Sequence, residues 1–236
     1  MSEMRALIIN ADDLGMTAAV NEGIFAAHEG GIVTSASLMV RQSAAPTAAG
    51  ALSAHPDLAV GLHLDLGGRI YEADDVDSDR RSSFVVHMGN KGRTPEAKAV
   101  EEECRSQLEC FRELVGRDPT HLDSHKHVHE TDPAFGAAAE ELANELGVPL
   151  RNRTIRYERR FYGREAISPE RLCELIRELP PGWTEIGCHP AAGPVPTSSY
   201  DAERQIELET LRHPDVKNLL NVTSVQLCSF AQVNPC

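Results

Sequence analysis

Two adjacent carboxylates, Asp12 and Asp13, close an apolar run that starts near the beginning of the chain. Neighbours at a strand end point in different directions, so one can hold a metal ion while the other faces a nucleophilic water. An isolated Asp-Asp pair is more often a turn or helix-capping element and gains meaning only beside other candidates. The first of these is His63, in Val60-Gly61-Leu62-His63-Leu64-Asp65. A period of two puts Val60, Leu62 and Leu64 on one face and Gly61, His63 and Asp65 on the other, pointing His63 away from covering helices. A lone histidine of this kind is usually a hydrogen-bonded core residue. The run His121-Leu122-Asp123-Ser124-His125-Lys126-His127-Val128-His129 is harder to explain by packing. Read as one strand over 120–129, it puts His121, Asp123, His125, His127 and His129 on a single face. Buried imidazolium ions would repel one another, so some of these rings should be neutral, the form that binds metal; a surface histidine patch is the competing reading. Last comes Glu185-Ile186-Gly187-Cys188-His189-Pro190, a strand ending in a histidine that the following proline holds in extended geometry. Alternation sets Cys188 opposite His189, as a buried thiol rather than a nucleophile.

Brought together, Asp13, His63 and His125 would offer two nitrogens and one oxygen to a divalent cation and leave positions open for water and substrate. A cation so held lowers the pKa of its water toward ~7 and polarises a carbonyl. Asp12 suits the base that takes the water's proton, and His189 the acid that gives one to a leaving amine. Arg151, closing a short strand over 148–151, is a candidate to orient Asp12, and a surface arginine is its equal alternative. Asp123, His127 and His129, with Arg151, are expected to bind substrate or to support the ligands.

These side chains need elements that end at a common place, and each cluster falls at the carboxyl end of an apolar run, the rim where α/β folds put their sites. Strands are expected over 5–10, 32–40, 58–66, 120–129, 148–151, 183–189 and 222–228. Helices are expected over 17–29, closed by Gly30-Gly31, and over 95–115, with Gly116 past its end. A third opens at Asp132-Pro133 and closes at Gly147; a fourth opens at Ser168-Pro169 and carries Leu172, Leu175, Ile176 and Leu179. Residues 46–55 read as a short helical or irregular connection, and 201–212 as a polar helix. Strand and helix in alternation imply right-handed crossovers and a parallel sheet. No Gly-x-Gly-x-x-Gly follows the first strand, so the expected form is a TIM-like (β/α) barrel of seven or eight strands, one domain over 1–236. The polar stretch 67–94 breaks the pattern and reads either as a lid or binding loop or as plain surface.

The 236 residues include 36 acidic and 23 basic side chains, a net charge of -13. That charge opposes nucleic acid and anionic membrane as partners and leaves a neutral or cationic small molecule as the easier one. The first apolar run is too short for a signal peptide or a membrane span, so a cytoplasmic location is expected, with a homodimer left open. Six cysteines without a Cys-x-x-Cys spacing fit reduced thiols better than a disulfide frame.

Asn10-Ala11-Asp12-Asp13-Leu14-Gly15, Gly30-Gly31-Ile32-Val33-Thr34-Ser35, Gly61-Leu62-His63-Leu64, Asp123-Ser124-His125-Lys126-His127-Val128-His129 and Glu185-Ile186-Gly187-Cys188-His189-Pro190 together resemble the YdjC-like family, which includes chitooligosaccharide deacetylase. The resemblance implies a distorted barrel of the glycoside hydrolase/deacetylase type, an N-acetylated sugar as substrate, and Mg2+ or Zn2+ as cofactor. It assigns Asp13, His63 and His125 to the metal and Asp12 to the base, and by analogy with polysaccharide deacetylases it makes His189 the acid. The chain departs from the family at Ala191-Ala192-Gly193, where glycine often follows the His-Pro. A non-haem iron oxygenase uses a similar ligand set, but an adjacent base and an opposing acid argue for hydrolysis. A non-catalytic sugar- or metal-binding protein is the other alternative.

Overall fold

The apolar run after Met4 forms β1 (Arg5–Leu14), from which the sheet grows on both sides. It pairs in parallel with β2 (Ser35–Leu38), β6 (Gly182–Cys188) and β7 (Val225–Cys228). Beyond them lie β3 (Ala59–Leu64), β4 (Leu122–Ser124) and β5 (Arg156–Glu158), giving the order β4-β3-β2-β1-β6-β5 with β7 on β1. The two ends of this sheet are linked through single bridges, Leu122 to Leu150 and Arg151 to Ile155. The result is a distorted TIM-like barrel of seven parallel strands, seen in a computed structural model that describes residues 4–65 and 97–233. The stretch 67–94 falls outside the described residues, as does Cys236; the other five cysteines are free thiols.

Helices α1 (Ala18–Glu29), α2 (Ala45–Ala51), α3 (Ala97–Val115), α4 (Val128–Thr131), α5 (Pro133–Leu146), α6 (Pro169–Arg177), α7 (Asp201–Arg212) and α8 (Pro214–Val222) accompany the strands. Their starts are written locally. Thr17 caps α1, Asp132 caps α5 and Ser168 caps α6, each side chain accepting a backbone N–H of the first turn. Gly147, at φ 64°, ends α5 in the left-handed conformation that a residue without Cβ adopts at least cost. Among the described residues no helix is long and apolar enough to cross a membrane.

Period two decides which side chains reach the barrel interior. Along β1, Leu7, Ile9 and Ala11 join the large core beneath the helices, while Ala6 and Ile8 join a small inner cluster with Ile155, Cys228 and Phe230. Asn10 and Asp12 continue that inner row. Likewise Val60, Leu62 and Leu64 of β3 and Ile186 and Cys188 of β6 face helices, which leaves His63, Glu185 and His189 to the interior. Gly61 is required on that inner face, because a Cβ there would lie 2.4 Å from the His121 ring, and at Gly187 it would lie 2.5 Å from the Tyr157 hydroxyl.

Four expectations are corrected. The histidine-rich run is not one strand: β4 stops at Ser124, Lys126 and His127 take left-handed backbone (φ 54° and 55°), and α4 follows. The five side chains therefore share no strand face; only His121 and Asp123 do. Within 148–151 only Leu150 and Arg151 pair, through isolated bridges rather than a strand, and β5 lies beyond them at Arg156–Glu158. The strand expected over 32–40 is confined to Ser35–Leu38. At the carboxyl end, His213-Pro214 opens α8, Val222 closes it, and the strand expected over 222–228 begins only at Val225, as β7.

Candidate metal centre and active site

At the rim, β1 carries an irregularity between Ala11 and Leu14, and Asp13 sits inside it at φ 69°. Such an inserted residue re-aims its side chain, so the two aspartates diverge. Asp13 Oδ1 lies 3.1 Å from His125 Nδ1 and 3.4 Å from His63 Nε2. Ligand atoms of these three residues all lie within 4.8 Å of one another. Two imidazoles and one carboxylate at that separation fit a divalent ion of the zinc or magnesium kind. His63 is prepared for such a role, since its Nδ1 is engaged at 2.8 Å by Asp123 Oδ1, which leaves Nε2 turned toward Asp13. Ser37 Oγ donates to the other oxygen of Asp123 at 2.8 Å. Burial acts to raise the Asp13 carboxyl, but the charge of His125 and hydrogen bonds from both histidines hold it well below its ordinary value. Burial likewise opposes the His63 imidazolium, and Asp123 overrides it, raising this ring well above the ordinary histidine value.

Asp12, Asp123 and His63 form a second group of closely spaced donors, but Arg151 is bonded to both of its aspartates. The Arg151 side chain is fully buried and forks onto Asp12, with Nη1 to Oδ2 and Nη2 to Oδ1 both at 2.6 Å. It also reaches Asp123 at 2.8 Å and Glu185 through Nε and Nη2 at 2.8 and 2.6 Å. Burial would raise the Asp12 carboxyl, and the guanidinium more than offsets it, leaving Asp12 below its ordinary value and ionised at neutral pH. Glu185 gains less: burial outweighs the same guanidinium and pushes it up to about 7. Its Oε2 has no hydrogen-bond partner among the described residues, so it is the carboxylate of the three that can hold a proton.

His189 faces Asp12 across the cavity, Nε2 to Oδ2 at 3.9 Å. Behind it stands Glu207 of α7, fully buried, which accepts the backbone N–H of His189 and the Tyr200 hydroxyl (2.7 Å) and lies 3.9 Å from His189 Nδ1. That last distance is too long for a hydrogen bond but close enough for charge. Burial lowers His189, and Glu207 with Asp12 overcomes this, raising the ring above its ordinary value. One turn earlier on α7, buried Arg204 donates to Asp13 Oδ2 at 2.5 Å and leaves Oδ1 facing the histidines. Asp12, Asp13, His63, His125 and His189 all open into one cavity of about 430 Å³, which Tyr157, Tyr162 and Tyr200 also line.

The remaining sequence candidates divide. His127 lines the cavity beside Tyr157, and burial followed by the Arg151 charge pushes it down to about 4, so it is neutral. His129 is 1% exposed and bonds Ser124 Oγ and the Arg151 carbonyl, which supports the rim instead of facing the cavity. His121 stacks on Phe230 in the interior, where burial lowers it to about 4. Cys188 is buried and far from nucleophilic, since burial raises its thiol well above the ordinary value. Sequence reading missed Arg204 and Glu207. A signal was there: Arg204, Glu207, Leu208 and Leu211 recur at helical spacing, which puts two charges on the buried face of a helix read as polar.

Against known proteins, the model of the YdjC-like protein family matches residues 6–222. A carbohydrate deacetylase of Geobacillus stearothermophilus is 37% identical, with 97% of this chain and 98% of that protein covered. A chitooligosaccharide deacetylase of Klebsiella pneumoniae (strain 342) is 32% identical over 97% of this chain and 99% of its own length. Among solved structures, one from Enterococcus faecalis V583, described as a candidate cellobiose-phosphate cleavage protein, superposes with a TM-score of 0.82 at 28% identity, covering 96% and 98% of the two chains. A family 4 carbohydrate esterase from Streptomyces lividans, solved with acetate, superposes at 0.56 with 10% identity over 97% and 93% of the chains, a likeness of fold alone. With the family model spanning nearly the whole chain and relatives above 30% identity covering it end to end, the chain belongs to the YdjC-like family.

Proposed function

We propose that this chain is a carbohydrate deacetylase that hydrolyses the N-acetyl amide of a sugar with the aid of a divalent cation held by Asp13, His63 and His125. The observation that carries the reading is the opening of that donor group and of the facing pair Asp12 and His189 into a single cavity. The names of the relatives support an acetylated saccharide as the substrate class. When bound, the cation supplies Lewis acidity to the attacking water and to the acetyl carbonyl. Asp12, kept anionic by Arg151, takes the proton of the attacking water. His189, kept cationic by Glu207 and Asp12, gives its proton to the amide nitrogen as the carbon–nitrogen bond breaks, so acetate and an amine leave. Asp123 engages Nδ1 of His63 and so leaves Nε2 as the nitrogen that would bind the cation, and Arg204 limits Asp13 to one free oxygen.

The test is acetate release from a panel of N-acetylated mono- and disaccharides, before and after chelation, together with metal analysis of protein purified without added metal. Release that stops on chelation and returns with Mg2+ or Zn2+ is expected. His125→Ala should lose both cation binding and turnover, and retained turnover would remove His125 from the ligands. Stoichiometric iron with oxygen consumption and no acetate would replace the reading with an oxygenase.

The assignment of His189 carries its own pH prediction. Removing the Glu207 charge destabilises the imidazolium, so His189 gives up its proton at lower pH and the acid is lost earlier as pH rises. In Glu207→Gln the alkaline limb of kcat should move down by about one pH unit, with the acidic limb in place. An unmoved alkaline limb would mean that His189 is not the acid or that Glu207 does not tune it.

A further inference from the structure

Tyr162 lies in the connection between β5 and α6 and is 60% exposed, the one aromatic side chain among the described residues that is more than half open to solvent. It is nevertheless held in place. One face of its ring stacks on Tyr200 at 4.6 Å between centroids and 7° between planes. Tyr200 is itself fixed: its hydroxyl donates to Glu207 at 2.7 Å and accepts the backbone N–H of Gly163 at 2.9 Å. Both rings meet the His189 ring at steep angles, Tyr162 at 5.9 Å and Tyr200 at 5.6 Å. Tyr162 lines the cavity together with Ser198 and Ser199, of which Ser198 is held by the Tyr200 backbone N–H and Arg204 Nε. An ordered aromatic that keeps one face accessible suits a ligand that is apolar on one side and polar around its edge.

The order of groups along the cavity says what that is. In the reading above, which this inference deepens and on which it rests, the acetyl carbonyl is served by Asp13, His63 and His125 and the amide nitrogen by His189. The carbon bearing that nitrogen must sit close to His189, and of the two rings that meet His189, Tyr162 is the one open to solvent. We propose that the free face of Tyr162 is the platform for the pyranose ring that carries the acetamido group. A pyranose presents axial C–H bonds on its face and hydroxyls around its rim. Its face matches the electron-rich face of the tyrosine, and its rim matches Ser198 and Ser199. Because Tyr200 is tied to Glu207, the same buried carboxylate fixes the platform and the acid, which sets the ring and the proton donor in register.

Two measurements test this, one with turnover and one without. In steady-state kinetics on N-acetylglucosamine and its β-1,4-linked disaccharide, Tyr162→Ala should raise KM about tenfold with kcat changed less than KM, and Tyr162→Phe or Tyr162→Trp should rescue it. An unchanged KM in the alanine variant, or a loss in the phenylalanine variant as large as in alanine, overturns the platform. In saturation-transfer NMR on metal-free protein with the disaccharide, irradiation of aromatic protons should pass to the pyranose ring protons in the wild type and vanish in Tyr162→Ala. Absent transfer in the wild type, or no saccharide binding at millimolar concentration, overturns the proposal independently of catalysis. Failure of the wild type to release acetate from any acetylated sugar would count against the deacetylase reading, while the NMR measurement would still decide the role of Tyr162.

Discussion

Asp12→Asn is expected to lower kcat by about 10³-fold while the cation still binds with an affinity close to that of the wild type. Asparagine keeps the shape of the side chain but has no anionic oxygen to take a proton. One of its two contacts with Arg151 becomes an amide nitrogen facing a guanidinium, so the fork is weakened as well. The donor group Asp13, His63 and His125 is untouched by the change. Calorimetric titration of the cation and kcat for acetate release, measured on the same preparation, separate the two effects. The experiment also decides between two places for the ion. His63 belongs to both groups of donors, and if the second one (Asp12, His63 and Asp123) held the cation, the variant would lose binding together with turnover. Arg151 argues against that outcome, because it is already bonded to both of those aspartates.

The sequence made the barrel legible for a simple reason: caps and alternation are local. Thr17, Asp132-Pro133, Ser168-Pro169 and Gly147 mark helix ends by hydrogen bonds or torsions that each residue decides for itself. Alternation in Val60–Leu64 and Glu185–His189 likewise predicted which side chains face inward, and the structure puts them there. Alternation failed where the chain stopped being a strand. Nothing in Ser124-His125-Lys126-His127 warns that two successive non-glycine residues turn left-handed, and that turn brings His125 to Asp13 while sending His129 behind the rim. Longer-range matters were less accessible still. Arg204 and Glu207 act on residues nearly 200 and 18 positions away, respectively, and their pairing exists only once α7 is packed against the rim. Tyr162 carried no pattern at all, since its meaning lies in what it stacks against. The stretch 67–94, read as a lid or binding loop or as plain surface, lies outside the described residues.

Arg151→Met should lower stability by about 3–5 kcal/mol, read as a fall in Tm of roughly 10 °C, because it leaves buried carboxylates without the cation that compensates them. Asp12, Asp123 and Glu185 all lean on this one guanidinium, and none of the three is exposed enough for water to replace it. The strain is already visible in the wild type, where Glu185 is pushed up to about 7 despite two hydrogen bonds from Arg151. Glu185, pushed up to about 7 even beside the guanidinium, takes up a proton once it is gone, so Glu185→Gln should recover little of the lost Tm in the Arg151→Met background and the cost falls on Asp12 and Asp123. Arg151→Lys then divides stability from catalysis. Lysine keeps the charge but cannot make the fork that grips both oxygens of Asp12, so kcat should fall further than the loss of Tm accounts for. Should the lysine variant turn over at the wild-type rate, the orientation of Asp12 would owe nothing to the fork, and Arg151 would be reduced to neutralising the buried acids.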